Sequence, residues 1–338
     1  MIESNPFCGV PAPLRAALDK RGFIELTPVQ QAALDQESQS RNLRISSQTG
    51  SGKTVALGLR LAADMLERSD TGRREGPRAL LITPTRELAV QVGEELRWLF
   101  AGIDGVAVEV VTGGTDAAGE RRALARNPAV VVGTPGRLLD HLRRRSLRSA
   151  SIEHVVLDEA DQMLDMGFRE ELDAILEQLP EERQSHLVSA TFPKAVEQLA
   201  NRFQADPLHI QGSRPGEANA DIRHLAHRIR PRDLPDALVN VLLLSPDERA
   251  LVFVRRRLDA TELARKLSED GFSALPFSGE LTQAQRTQTL ESFKSGSIRV
   301  LVATDVAARG IDIPKIDIVI HADVPGEAEA YTLSLIHI

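Results

Sequence analysis

Residues 46–54 (SSQTGSGKT) combine glycines with a lysine and a threonine in a spacing that suits phosphate chemistry. They lie between a short apolar run at residues 43–45 and a segment with helical spacing at residues 55–66. Glycines let the backbone turn tightly, so that several N–H groups point at one place at the start of a helix, where the helix dipole also favours an anion. The order of strand, glycine-rich turn and helix predicts a phosphate-binding loop.

Individual side chains of this loop have distinct predicted roles. Lys53 supplies a positive charge for the β and γ phosphates of a nucleotide, and the Thr54 hydroxyl is a ligand for magnesium. Gly50 and Gly52 provide the tight turn. Ser47 stands where the general pattern G-x-x-x-x-G-K-[ST] has a glycine. The alternative, a glycine-rich loop with an unrelated lysine, is opposed by the acidic motif further along the chain.

That motif consists of two adjacent acids after an apolar run at residues 154–157. Asp158 follows a buried strand, where its carboxylate can hold magnesium. Glu159 is placed to orient and deprotonate the water that attacks the γ phosphate. Adjacent acids at a strand end could instead form a solvated turn, but the phosphate loop upstream favours the nucleotide interpretation.

A helix start near the amino terminus carries a candidate adenine contact. Thr27 is predicted to be the N-cap, with Pro28 at the first helical position. The amide of Gln30 offers a donor and an acceptor together, which matches N6 and N7 of adenine. Phe23 can stack on the base. Taken alone, the segment need be no more than a helix start.

Polar motifs follow short strands in the first two thirds of the chain. Because helical segments separate most of these apolar runs, the pattern predicts a parallel sheet covered on both faces. Open sheets of this kind bind ligands at the carboxyl ends of their strands. The runs are residues 79–82, 106–111, 129–132, 154–157 and 186–188, and the motifs after them are TPTRELA (83–89), Gly113 with Gly114, GTPGR (133–137), DEAD (158–161) and SAT (189–191).

The strand and helix alternation resumes after residues 211–220, a segment of small and polar residues that is typical of a linker. The sequence therefore predicts two tandem α/β domains, residues 1–210 and 221–338, of which the second has no phosphate loop. Its predicted strands are residues 251–254, 274–277, 300–303 and 316–320, and its helices include residues 258–269 and 283–293.

Composition and charge narrow the class of protein. The chain has 338 residues, of which 42% are hydrophobic and 26% charged, and no run of eighteen apolar residues, so we expect a soluble protein. The amino terminus lacks a secretory pattern and Cys8 is the only cysteine, which excludes an internal disulfide and suits the cytoplasm. The net charge of −7 argues against a broadly basic nucleic-acid surface. The basic run at residues 143–148 is interpreted as a solvated helix end.

Taken in order, these motifs resemble those of the DEAD-box RNA helicases. The second half agrees with the first, through LVFV at residues 251–254, the set Gly279, Gln283 and Arg286, and ATDVAARGID at residues 303–312. The resemblance covers nearly the whole chain. It implies a bacterial-type helicase core made of two RecA-like parallel-sheet domains.

The resemblance implies an ATP-dependent RNA helicase that uses ATP and Mg²⁺. Such an enzyme hydrolyses ATP on binding single-stranded RNA, and it unwinds short duplexes or remodels RNA–protein complexes. We expect a monomeric core. Hydroxyl groups, turn amides and a few arginines can hold phosphates and riboses without a basic surface, which reconciles RNA binding with the negative net charge.

The resemblance also assigns roles by position. For ATP these positions are Phe23, Thr27, Gln30, Thr49, Gly50, Ser51, Gly52, Lys53, Thr54, Gly310 and Asp312. The catalytic set is Lys53, Asp158, Glu159, Ser189 and Thr191, the last two hydrogen-bonded near Asp161, and the metal ligands are Thr54 and Asp158. For RNA the positions are Pro84, Thr85, Arg86, Gly113, Gly114, Thr134, Pro135, Gly136, Arg137, Gln283, Arg286, Thr304 and Asp305.

Two places depart from the family pattern. Ser278 stands where the family has a histidine, and after Thr332 the chain reads LSLIHI in place of a motif rich in arginine. We therefore expect the second domain to be truncated and the arginines that contact the γ phosphate to be missing. The missing arginines favour one alternative to the helicase, an ATP-gated RNA-binding fragment with little hydrolysis. A second alternative is a DNA-directed helicase or other RecA-like ATPase.

Overall fold

A computed structural model describes residues 7–46, 52–67, 75–114, 116–212, 222–304, 316–323 and 331. The chain divides into two compact units, Met1–Gly216 and Glu217–Ile338. Both are parallel α/β sheets, which confirms the predicted fold class. No helix within the described ranges is long and apolar enough to cross a membrane.

The first unit is built on a seven-stranded sheet in the order β3-β4-β2-β5-β6-β1-β7, with every neighbouring pair parallel. Strands β5, β6 and β1 are adjacent, so their carboxyl ends meet at one edge. The strands are β1 (Leu43–Ser46), β2 (Ala79–Ile82), β3 (Val108–Val111), β4 (Val130–Gly133), β5 (His154–Asp158), β6 (Gln184–Ser189) and β7 (Leu208–Gln211).

Helices cover both faces of this sheet. Along β2, Ala79 and Leu81 pack in one hydrophobic core and Leu80 and Ile82 in the other, because successive side chains of a strand point to opposite faces. Fully burying a leucine or isoleucine side chain contributes roughly 1.5–3 kcal/mol, so this continuous apolar run stabilises both layers. The helices are α1 (Ala12–Lys20), α2 (Pro28–Leu34), α3 (Gln36–Gln39), α4 (Lys53–Glu67), α5 (Arg86–Leu99), α6 (Ala117–Leu124), α7 (Pro135–Arg143), α8 (Ala160–Asp165), α9 (Arg169–Leu176) and α10 (Lys194–Phe203).

The second unit carries a four-stranded parallel sheet in the order β11-β8-β10-β9. Leu251 and Phe253 of its central strand β8 face one core, while Val252 and Val254 face the other. The elements are a 3₁₀ turn (Pro231–Asp233), α11 (Leu234–Leu244), β8 (Ala250–Val254), α12 (Arg257–Glu269), β9 (Ala274–Phe277), α13 (Gln283–Lys294), β10 (Val300–Thr304) and β11 (Ile318–His321).

The elements that the sequence-based prediction did not single out include α1, β7 and α11. Strand β7 includes Gln211, which the sequence pattern places in the linker but which pairs with Ser46 of β1. The pattern misses β7 because it lies at the sheet edge, where only Ile210 of its four residues is buried. Strands β3 and β11 also begin two residues later than expected, at Val108 and Ile318.

Candidate functional site

In the sequence, the predicted phosphate loop runs from the end of β1 to the start of α4. Helix α4 begins at Lys53, β5 ends at Asp158 and β6 ends at Ser189. Parallel pairing of β5 with β6 and of β6 with β1 brings the carboxyl ends of these three strands to one edge of the sheet. Thr49, Gly50 and Ser51 of the loop lie outside the described residues, so their assignment stays a prediction.

Lys53 faces both acids of the DEAD motif. Its Nζ lies 3.4 Å from Asp158 Oδ1 and donates a hydrogen bond to Glu159 Oε1 at 3.3 Å, and all three side chains are buried. Burial alone lowers the pKa of Lys53, but the charges of Asp158 and Glu159 outweigh it and raise the pKa above its ordinary value. One ammonium therefore faces two buried carboxylates, and this cluster carries a net negative charge.

The carboxylate of Asp158 is the second notable feature of this cluster. Both of its carboxylate oxygens are buried and lack a hydrogen-bond partner among the residues that the structure describes. Burial raises the pKa of Asp158, and although Lys53 opposes that shift, Glu159 adds to it. Mg²⁺ prefers oxygen ligands and is held by one or two carboxylates together with substrate phosphates. Asp158, together with the buried Thr54 that follows Lys53, therefore fits a magnesium site.

The backbone of Glu159 has an unusual conformation that the sequence pattern does not reveal. Its φ of 57° and ψ of 53° place a non-glycine residue in the left-handed region, directly before α8. Such a residue costs of order 1–3 kcal/mol and persists only where the surrounding structure fixes it. The conformation turns the chain between β5 and α8, so that Asp158 and Glu159 both face Lys53.

Asp161 links the DEAD and SAT segments through three hydrogen bonds, and a fourth holds its own side chain. Its Oδ2 accepts from the backbone N of Thr191 at 3.0 Å and from the Thr191 hydroxyl at 2.8 Å. Its backbone N donates to Ser189 Oγ at 3.2 Å, and its Oδ1 accepts from Gln162 N at 3.1 Å. The structure thus brings together Asp161, Ser189 and Thr191, the three residues that the resemblance associates with coupling.

Gln30 connects the helix start to the end of the phosphate loop. The structure confirms Thr27 as N-cap and Pro28 as first residue of α2, and Gln30 Oε1 accepts from Thr27 N at 3.0 Å. Gln30 Nε2 donates to the carbonyl of Gly52 at 3.3 Å. The buried amide is therefore held by two protein partners, and one donor hydrogen and one acceptor lone pair lie outside these two contacts. The ring of Phe23 lies 6.0 Å from that of Trp98.

Two of the predicted RNA-binding arginines make contacts inside the first unit. The guanidinium of Arg86 lies so close to Gly113 and Gly114 that a Cβ on Gly114 would be 2.4 Å from Arg86 Nη1. The guanidinium of Arg137 donates to the Thr112 carbonyl and lies 3.0 Å from Glu120 Oε2, with only 15% of its side chain exposed. The sequence pattern did not single out Glu120, whose buried carboxylate holds this junction.

The other predicted RNA contacts lie at helix starts or in the second unit. Thr85 caps α5, Thr134 and Pro135 begin α7, and Gly136 follows them. In the second unit, Gln283 begins α13, Thr304 ends β10, and the Arg286 guanidinium lies 4.4 Å from the centre of the Phe277 ring. Asp305, Gly310, Asp312 and the segment after Thr332 lie outside the described residues. Ser278, where the family has a histidine, is buried.

This geometry defines a nucleotide-binding parallel-sheet protein, and comparison with known proteins identifies the family. The family model described as "DEAD/DEAH box helicase" matches residues 27–199, and "Helicase conserved C-terminal domain" matches residues 233–335. The chain is 41% identical over 323 residues to DEAD-box ATP-dependent RNA helicase CshA of Bacillus cereus, covering 96% of this chain and 60% of the relative. The chain belongs to the DEAD-box helicase family.

Solved structures agree with this assignment. S. cerevisiae Dbp5 bound to RNA and ADP BeF3 is 28% identical, with a TM-score of 0.84, and the match covers 97% of this chain and 84% of Dbp5. A DEAD box protein from Methanococcus jannaschii is 32% identical with a TM-score of 0.56, covering 98% of this chain and 87% of that one. The chain spans about 60% of the length of the curated relatives it matches.

Proposed function

We propose that the first unit binds ATP with Mg²⁺ and that the chain couples ATP hydrolysis to the binding of single-stranded RNA. In this proposal it separates short duplexes or remodels RNA–protein complexes. The observation that carries the proposal is the buried cluster of Lys53, Asp158 and Glu159, in which two acids share one ammonium and both Asp158 oxygens lack a hydrogen-bond partner among the described residues. The names of the relatives support it, since CshA is called an ATP-dependent RNA helicase and Dbp5 was solved with RNA and a nucleotide analogue.

Each residue of the cluster has a part in this mechanism. Lys53 moves its positive charge from the two acids to the β and γ phosphates. Asp158 and Thr54 hold Mg²⁺, which when bound neutralises charge on the phosphates. The carboxylate of Glu159, freed from Lys53, accepts a proton from the attacking water. Gln30 and Phe23 contact the adenine, and Thr49, Gly50, Ser51 and Gly52 contact the phosphates.

Coupling to RNA runs through the SAT segment in this proposal. Asp161 follows the acids directly and is held by Thr191 and Ser189, so a shift of the DEAD segment on hydrolysis moves the segment after β6. RNA contacts come from threonine hydroxyls and backbone amides at Thr85, Gly113, Gly114 and Thr134, with Pro84, Arg86, Pro135, Gly136 and Arg137 shaping the surface. The second unit contributes Gln283, Arg286, Thr304 and Asp305 to RNA, and Gly310 and Asp312 to the nucleotide.

The test replaces the proposed base while keeping its size. Glu159→Gln should bind ATP and RNA normally but release phosphate about 10²–10⁴-fold more slowly with saturating single-stranded RNA, which is the usual contribution of a general base. Glu177→Gln, at the exposed end of α9, is the matched control and should behave as the parent.

The same assay decides between the alternatives. A parent chain that binds ATP and RNA but releases no phosphate would be an ATP-gated RNA-binding protein. Equal stimulation by RNA and DNA of one sequence would indicate a helicase or ATPase without ribose selectivity. An unchanged rate in Glu159→Gln would mean that Glu159 is not the base.

A further inference from the structure

A second buried polar cluster lies toward the amino-terminal ends of β5 and β6, opposite the carboxyl ends that carry the proposed ATP site. His154 is the first residue of β5, and His186 lies early in the adjacent β6. The side chains are 2% and 0% exposed, on the sheet face that α4 covers, where Val156 and Val188 of the same strands join the first core. A buried histidine needs a hydrogen-bond partner for each ring nitrogen, and here the partners form a chain.

The chain of hydrogen bonds runs from β1 to α4 through both rings. Leu43 N donates to His186 Nδ1 at 3.2 Å, His186 Nε2 lies 3.4 Å from His154 Nδ1, and His154 Nε2 lies 2.8 Å from Asp64 Oδ2. The two ring centres are 5.6 Å apart and the planes differ by 16°, so the rings lie side by side and nearly coplanar. This arrangement suits a hydrogen bond between ring edges.

The backbone N–H of Leu43 determines the tautomer of both histidines. Because a backbone N–H can only donate, Nδ1 of His186 must be without a proton, and a neutral His186 carries its proton on Nε2. That proton points at His154 Nδ1, which must therefore accept. His154 then carries its proton on Nε2 and donates it to Asp64. Every link has one donor and one acceptor only while both rings are neutral.

An added proton on either ring breaks this series of hydrogen bonds. A proton on His186 Nδ1 would face the N–H of Leu43, and one on His154 Nδ1 would face the Nε2–H of His186. Arg60 donates to the same Asp64 Oδ2 at 2.9 Å, so that carboxylate already has a cationic partner.

Most of the groups around His186 also disfavour its charged form. Arg78 binds the backbone carbonyl of Asp64 at 2.9 Å and is itself paired with Glu153 at 2.7 Å. Burial, together with His154 and Arg60, lowers the pKa of His186 well below its usual value, while Asp64 opposes that shift. Burial alone would raise the pKa of Asp64, but the hydrogen bond from His154 and the charge of Arg60 lower it to about 2.

We propose that His154 and His186 form a proton-sensitive clamp in the ATP-binding unit, which holds while both rings are neutral and opens when either ring takes up a proton. The clamp joins β1, β5 and β6 to α4 through Leu43 and Asp64. Strand β1 and helix α4 flank the predicted phosphate loop, and β5 ends at Asp158. Opening the clamp at one edge of the sheet loosens the elements that carry the site at the other edge. The folding test below does not depend on ATP or RNA, so it stands apart from the proposed function.

The expected effect follows from proton linkage. A histidine whose pKa is depressed in the folded state takes up a proton more readily when unfolded, so stability is present above about pH 6.5 and is lost as the pH falls below it. Each proton that the folded state excludes raises the unfolding equilibrium constant roughly tenfold per pH unit below about pH 6.5. Asp64 affects folding stability in a different pH range. Its depressed pKa contributes stability that is lost only between about pH 4 and pH 2.

Urea unfolding of the full chain between about pH 5.5 and 8 tests the clamp. Trp98 is the only tryptophan and lies in the first unit, so its fluorescence reports that unit. The unfolding constant of the parent should rise about fivefold or more from pH 6.5 to pH 5.5, and the rise should be much smaller in His154→Phe/His186→Leu. His209→Gln removes an exposed histidine of β7 and should keep the parental slope. Equal slopes in the double variant and the parent would overturn the proposal.

Nitrogen NMR of the parent labelled with ¹⁵N-histidine tests the same point without substitution, and it decides the matter if the double variant does not fold. His186 should keep a protonated Nε2 and an unprotonated Nδ1 down to about pH 5.5 in the folded state. An imidazolium signal, or a protonated Nδ1, from His186 in the folded protein above about pH 6 would contradict the clamp.

Discussion

Gly52 offers a sharp test of how the site is assembled, because two separate constraints act on it. Its φ is +79°, and a Cβ added there would lie 2.3 Å from Gln30 Nε2. The left-handed backbone costs alanine roughly 1–2 kcal/mol. Crowding of a filled site typically costs a further ~1–3 kcal/mol, so Gly52→Ala should destabilise the first unit by about 2–5 kcal/mol in urea unfolding followed by Trp98 fluorescence.

Two further variants separate those constraints. Gly167 has a φ of +84°, and a Cβ added there would have no atom within 4 Å, so Gly167→Ala should cost only the backbone part, about 1–2 kcal/mol. Combining Gly52→Ala with Gln30→Ala removes the crowding, and the pair should deviate from additivity by roughly 1–3 kcal/mol in the stabilising direction. Additivity of the pair within about 0.5 kcal/mol would refute the contact between Gln30 and Gly52 as the cause.

Two other variants test contacts around the site. Asp161→Asn keeps the shape of the side chain but weakens two hydrogen bonds from Thr191, so RNA-stimulated phosphate release should fall while fluorescent-ATP affinity is kept, and loss of ATP affinity would contradict a coupling role. Arg137→Ala removes one partner of the buried Glu120 carboxylate, which keeps Thr112 N at 3.0 Å and His141 Nε2 at 2.8 Å, so it should lower the stability of the first unit by about 1–3 kcal/mol as well as RNA affinity. Reduced RNA affinity with unchanged urea unfolding would show that Arg137 acts only as an RNA contact.

The sheet architecture and the nucleotide edge were predictable because they depend on local patterns. The strands before Thr83, Asp158 and Ser189 are buried and contain short apolar runs, and such runs between helical segments indicate parallel strands. A parallel sheet places the residue after each run at the same edge. Strand adjacency then brings Lys53 to Asp158, and that contact needs no information beyond the motif order and the fold class.

Other features depend on contacts between residues far apart in sequence, which no local pattern encodes. The left-handed backbone of Glu159, the Arg137 contact with Glu120 and the link from Gln30 to Gly52 all form only when separate elements pack together. His154 and His186 are the strongest example. In sequence they are two polar residues at the starts of apolar strands, and only strand pairing places their ring nitrogens in line.

The two edges of the first sheet handle buried charge in opposite ways. At the amino-terminal edge, each hydrogen bond from Leu43 through both histidines to Asp64 has a donor and an acceptor. At the carboxyl edge, Asp158 faces Lys53, but neither of its carboxylate oxygens has a hydrogen-bond partner among the described residues. An unsatisfied buried polar group costs roughly 1–3 kcal/mol. A ligand can restore such missing interactions, and in the proposed function a cation with a nucleotide phosphate would supply what Asp158 lacks. We therefore expect the satisfied edge to serve the folding of the unit and the unsatisfied edge to bind the ligand.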